Sequence, residues 1–218
     1  MKNKQCLSFA AVALMSVIPL ADLRLAAGST PPTTTPIVKP KPKVQKHPAS
    51  YSSIGWRPEP ALRGRLAALD QFENYSIQPP RGYAETIRTR GSETFYYWTG
   101  FAHDNGVVPE LLIGTNVELT DAPLDNQTLY TKEIAKIKLQ YPDVIFSPME
   151  TGTLNGLSFL RTYYRGNDQR EFMHHGVVYI TVDGTEVYTV TGDDTDPYST
   201  NTLPLLEAAA RTFQKARS

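Results

Sequence analysis

The chain has 218 residues, 40% of them hydrophobic, one cysteine and a formal net charge of zero. That length suits one domain with extra segments, and the zero hides an asymmetry: residues 1–50 carry 7 basic and 1 acidic side chain, residues 51–218 carry 15 and 21. An acidic body excludes an ordinary nucleic-acid binder, which needs a basic face.

Lys2 and Lys4 precede an apolar run at 6–21, "CLSFAAVALMSVIPLA", and "LAAGS" then supplies small residues for cleavage after Ala27 or Gly28. This pattern predicts a secretory signal peptide over 1–28. The run is shorter than the ~20 apolar residues of a spanning helix, and Pro19 interrupts it, so no transmembrane span remains once the signal is removed. Cys6 begins this run, whereas a lipoprotein cysteine follows one. Beyond the signal no cysteine is left to form a disulfide, a thiol nucleophile or a thiolate ligand.

Ser29 to Ser50, "STPPTTTPIVKPKPKVQKHPAS", is Pro, Thr and Lys with no acid. Such a stretch buries too little surface to offset its ordering entropy and reads as a disordered linker over 29–50, extended by its prolines. Its lysines suit contact with an anionic surface, lipid or cell-wall polymer; a plain solvated spacer is the simpler reading. A helical lead-in is predicted over 51–71, where Leu62, Leu66 and Leu69 recur at helical spacing.

The domain proper is predicted over 72–218. A short strand at Tyr75–Gln78 stops at Pro79-Pro80, and "AETIRTR" and "ETFYYWTGF" flank Gly91-Ser92 as a hairpin. "PELLIGTNVEL" alternates, with Leu111, Ile113, Thr115, Val117 and Leu119 on one face. "DNQTLYTKEIAKIKLQYP" is a helix with Asp125 as N-cap, a stripe of Tyr130, Ile134, Ile137 and Tyr141, and Pro142 as stop. Strands are predicted at 144–149, 157–164, 171–183 and 186–191, the last two joined by an Asp-Gly turn. A closing helix carries Leu203, Leu206, Ala210 and Phe213 on one stripe, with Pro204 in its first turn. Strands joined by short turns imply an antiparallel sheet, and "VVYITV" and "FYYW" are apolar on both faces. The predicted class is α+β: an α/β/α sandwich, a largely antiparallel central sheet flanked by helices.

"YSIQPPRGY", "GLSFLRTYYRG" followed by "VVYITVDGTEVYTVTG", and the closing "LPLLEAAARTF" resemble the PsbP-like family, the superfamily of the extrinsic photosystem II protein and a Ran-binding nuclear import factor. The resemblance spans roughly Phe72 to Arg217 and lies in spacing and order. It implies a non-enzymatic protein that acts through protein partners; bacterial relatives are often exported and of unknown role. No site motif matches, so no functional residue carries over.

"TGDDTDPYSTNTLP" places Asp193, Asp194 and Asp196 together, the one candidate for a metal. Calcium loops of the D-x-D-x-D-G type end in a Glu at position twelve. Counting from Asp194 puts Tyr198 and Ser199 at positions five and six; counting from Asp196 places Glu207 twelfth but Tyr198 third. The plainer reading is a polar connection whose acids precede a helix N-terminus. His174 and His175 are adjacent and face opposite ways on a strand, so they cannot chelate together. Ser158 lies in "GLSFL", without the second glycine of a nucleophile elbow. No cofactor motif is present. Paired carboxylates from distant strands remain open.

Tyr96, Trp98, Arg161, Tyr163 and Arg165 combine the residue types of binding hot spots, and a surface at one end of the sheet is one reading of them. Core packing is the other, and the simpler. The functional expectation is an exported, non-enzymatic binding or assembly module of the cell envelope with a protein partner; a small-ligand carrier with an aromatic-lined pocket is the alternative, and a metal or carboxylate hydrolase the least supported.

Overall fold

The computed structural model describes Trp56, residues 59–117 and residues 125–216. The expected signal peptide and linker lie outside these residues.

Helix α1 is a single turn, Pro60–Arg63. The predicted lead-in helix ends there. Leu66 instead buries alone through a bridge to Pro80, and Leu69 is 51% exposed, so the helical spacing of the three leucines buries no common stripe. Strand β1 (Asp70–Phe72) crosses the boundary expected at residue 72 and pairs with β2 (Tyr75–Ile77), which in turn pairs with β11 (Gln214–Lys215) near the C-terminus.

The main sheet has the order β3-β4-β5-β10-β9-β8-β6, antiparallel throughout. Its strands are β3 (Ala84–Arg90), β4 (Glu93–Thr99), β5 (Glu110–Val117), β6 (Ile145–Phe146), β8 (Leu157–Asn167), β9 (Met173–Asp183) and β10 (Glu186–Thr195). β7 (Glu150–Leu154) pairs with β8 as well. The turn β3–β4 is Gly91-Ser92, as its sequence predicts. The β9–β10 strands close on Asp183 opposite Glu186, so the loop is Gly184-Thr185, with Gly184 at φ +65, a left-handed conformation that glycine adopts at no steric cost.

Helix α2 (Asn126–Gln140) starts where Asp125 accepts hydrogen bonds from the Gln127 and Thr128 amides at 3.2 and 3.1 Å, which lower the Asp125 pKa. Helix α3 (Ser199–Ala210) begins earlier than predicted, so Pro204 sits inside it. Pro204 removes the helix bond to the carbonyl of Thr200, and Thr200 is exposed, so water can satisfy that carbonyl.

Cross-strand partners share a face. One face carries Trp98, Leu111, Ile113, Tyr163, Val177, Tyr179, Tyr188 and Val190, and packs against α3 and the small sheet through Leu206, Phe213, Phe72 and Tyr75. Gly192 lets α3 approach: a Cβ there would lie 2.8 Å from the Leu206 Cβ. The opposite face carries Leu160, Val178, Ile180 and Val187, covered by Leu129 and Ile137 of α2. The fold is α+β. Among the described residues no helix is long and apolar enough to cross a membrane.

Candidate functional site: a trough beside helix α2

α2 covers β8, β9 and β10, and the same face over β3, β4 and β5 carries no helix among the described residues. The boundary is a trough of about 580 Å³ between α2 and the sheet, within the range of ligand-sized sites. Phe95, Leu112, Gly114, Thr189 and Thr191 form its floor, and Lys132, Glu133, Lys136 and Gln140 of α2 its wall. Strand alternation puts Phe95, Tyr97 and Leu112 on this face, where they stay half-buried. Gly114 deepens the floor, since a Cβ there would come within 2.8 Å of Thr189 Oγ1 and 3.5 Å of the Phe95 ring. Near one end Lys136 reaches Glu133 at 2.8 Å and Glu93 at 3.3 Å, an ion pair bridging α2 and β4. Exposed pairs of this kind contribute little stability.

The other end is acidic. Glu110 stands directly opposite Asp193 on the neighbouring strand. Asp193 accepts from Tyr164 OH at 2.7 Å and meets His174 Nδ1 at 2.6 Å. The Tyr164 ring reaches it by lying across Gly176. Burial alone would lower the His174 pKa, but Asp193 and Asp168 outweigh it and raise it. Glu110 is pushed up to about 7, chiefly by burial and then by Asp193. Its side chain makes no hydrogen bond or ion pair among the described residues.

The three aspartates of the β10–α3 connection diverge. Asp193 faces the α2 side, whereas Asp194 is fully buried on the α3 side. Asp194 meets His103 Nε2 at 2.9 Å and accepts from the Thr195 amide at 2.8 Å and from Thr202 Oγ1. His103 in turn stacks on Tyr198 with centroids 3.8 Å apart. Asp196 accepts from Ser199 Oγ at 3.0 Å and lies 3.1 Å from His175 Nε2. His174 and His175 thus serve opposite faces. Among the described residues no group of three His, Cys, Asp or Glu side chains is placed to hold a metal ion. Thermal unfolding in excess Ca²⁺ or Zn²⁺ is therefore expected to match that in EDTA. A rise of roughly 5–10 °C, the effect of a metal at ~100 times its dissociation constant, would show that the loop rearranges to bind one.

The residues considered for a binding surface lie inside. Tyr96, Trp98, Arg161 and Tyr163 are 8%, 2%, 1% and 3% exposed, and only Arg165 is half-buried. Trp98 donates to Asp70 at 3.1 Å beneath the small sheet. Arg161 joins Glu207, Tyr163 and Tyr179 in a buried network. Strand preference and interior packing account for these aromatics. The trough residues escaped sequence reasoning, although the glycine inside "ELLIGTNV" is the kind of signal that marks a close approach.

No known family profile and no curated protein matches the sequence. Solved structures share its fold. The solution structure of cyanobacterial PsbP (CyanoP) from Synechocystis sp. PCC 6803 superposes with a TM-score of 0.52 at 11% identity, covering 69% of this chain and 94% of that one. The crystal structure of LpqN, involved in cell envelope biogenesis of Mycobacterium tuberculosis, gives 0.51 at 10% identity, covering 66% and 83%. At these identities the likeness is one of fold.

Proposed function

We propose that this chain, whose fold is PsbP-like, is an exported, non-enzymatic module of the cell envelope that binds a protein partner in assembly. Residues 1–28 direct export, the basic, proline-rich residues 29–50 join them to the body, and the folded body carries the contact. The observation that supports this most is the trough: half-buried Phe95 and Leu112 line it, with Tyr97 beside Leu112 on the same face, and no helix among the described residues covers this strip of sheet. Aromatic residues with an apolar floor and a charged rim are the composition of interface cores. The involvement of the similarly folded LpqN in envelope biogenesis agrees with this role.

The test is photo-crosslinking of the full-length chain in its native cells. Benzoylphenylalanine at Tyr97, on the trough side of β4, is expected to give a discrete crosslinked protein in the envelope fraction. The same group at Leu139, 85% exposed on α2, is the control. Identical patterns from both positions, or no discrete product at Tyr97, would defeat the assignment.

A further inference from the structure

The two ends of the trough differ in charge. At the lower end, among the described residues, Arg90, Lys132 and Lys136 stand with Glu93 and Glu133. Just past the upper end, one step along the same face beyond Leu112 and Thr191, stand Glu110 and Asp193, close to where the C-terminal turn of α2 adds the negative pole of its dipole. Between the ends the floor is apolar and hydroxylated. β4 runs from Glu93 to Thr99 along this axis, a span of about 20 Å at the rise of an extended strand, which matches about six extended residues.

The two upper carboxylates are not equivalent. Asp193 is already engaged by His174 and Tyr164. Glu110 is half-buried, faces Asp193 and has no cation of its own among the described residues. The charged and titratable groups around it are Asp193 on β10, His174 on β9, Tyr164 on β8, Arg88 on β3, Tyr97 on β4, and Tyr141 following α2. Arg88 is placed over the Tyr97 ring at 5.2 Å. A carboxylate held this way costs stability when ionised, and a cation brought by a ligand would recover that cost.

We infer that the trough receives an extended segment of a protein partner, a Lys or Arg side chain of that segment set against Glu110 and its apolar side chains lying on Phe95, Leu112 and Gly114. This deepens the assembly-module reading and rests on it. Opposite charges at the two ends orient the segment. The segment's acidic residue goes to the Arg90 end and its basic residue to the Glu110 end.

Ionisation makes the inference pH-dependent. The Glu110 carboxyl is raised from 4.5 to about 7 in the fold. Its folded state therefore holds a proton more firmly than the unfolded chain between those values, and stability declines as pH rises through that window. Binding has the opposite sign, because the partner's cation needs the carboxylate and so binds better as pH climbs through about 7. Glu110→Gln should therefore raise the thermal midpoint at pH 8, by about 2–5 °C, while weakening binding. A purely structural carboxylate would lose stability instead.

The probes are acetylated, amidated heptapeptides: Asp-Leu-Val-Thr-Val-Leu-Lys, the reverse order, and each with norleucine for lysine, alongside hexylammonium chloride. Titrated into the full-length chain, one lysine peptide is expected to shift the Gly114 and Thr191 amide signals and to bind about tenfold tighter than its norleucine form. That advantage should vanish in Glu110→Gln and shrink at pH 6. Equal binding of the lysine and norleucine forms, no binding by any peptide, or an advantage that survives Glu110→Gln would overturn the inference. Hexylammonium binding as tightly as the peptide would overturn the protein segment as its source. If Tyr97 still crosslinks a partner while the peptides fail, the inference falls and the assembly module stands; without that crosslink the module itself falls.

Discussion

Glu207→Ala is expected to cost about 3–5 kcal/mol of folding free energy, the usual result of stripping one member from a buried ionic network. The helix α3 stripe "LPLLEAAA" places an acid where its neighbours are apolar, and Glu207 is 1% exposed. Its Oε1 accepts from Tyr163 at 2.5 Å and Tyr179 at 2.9 Å, pairs with Arg161 at 3.3 Å and lies 2.5 Å from Arg211 one turn on. Arg161 has a second carboxylate in Glu150, its cross-strand partner, and the Trp56 ring lies 4.4 Å from its guanidinium carbon. Among the described residues two guanidiniums face two carboxylates in this network. Without Glu207 a positive charge remains in the interior, and desolvating it is expensive. Urea denaturation should show the loss as a lower midpoint with an unchanged slope, and the thermal midpoint should fall by roughly 6–20 °C. Glu207→Gln, which keeps an acceptor oxygen and discards the charge, should cost less. A loss below about 1 kcal/mol for the alanine variant would mean that the network does not hold α3 to the sheet.

Gly176→Ala is the second large effect, about 3 kcal/mol, by overpacking and by loss of a hydrogen bond. A Cβ at this position would lie 2.2 Å from Tyr164 Cζ. The ring must leave, and with it goes the 2.7 Å bond from Tyr164 OH to Asp193. Loss of that donor alters the acidic end of the trough as well as the packing. The pair Gly176→Ala with Tyr164→Ala tests the cause. If the ring is the obstacle, the double variant should be more stable than the sum of the single losses by at least ~1 kcal/mol. Strict additivity would assign the damage to the backbone of β9 instead.

Much of the fold was legible because its signals are local. Asp125, Pro142 and the stripe between them located α2, since caps and periodicity act within a few residues. Gly91-Ser92 and the glycine of Asp183-Gly184 located two hairpins for the same reason. β7 was missed although Asn155-Gly156 carries the left-handed pair, at φ +50 and +87, that closes such a hairpin. The early start of α3 was masked by Pro204, which sits more often at a first turn than inside a helix.

The sequence by itself determined the largely antiparallel character of the sheet, its two covered faces and the class of fold, because alternation and turn chemistry are written residue by residue. Only the tertiary structure decided which aromatics are buried and which part of the sheet no described helix covers. Tyr163 and Phe95 obey the same alternation, yet one lies under α3 and the other beside α2. It also set Arg161 against Glu207, 46 residues apart, and Glu110 opposite Asp193 across two strands. Such pairings follow from strand register and helix placement, which no short stretch of chain specifies.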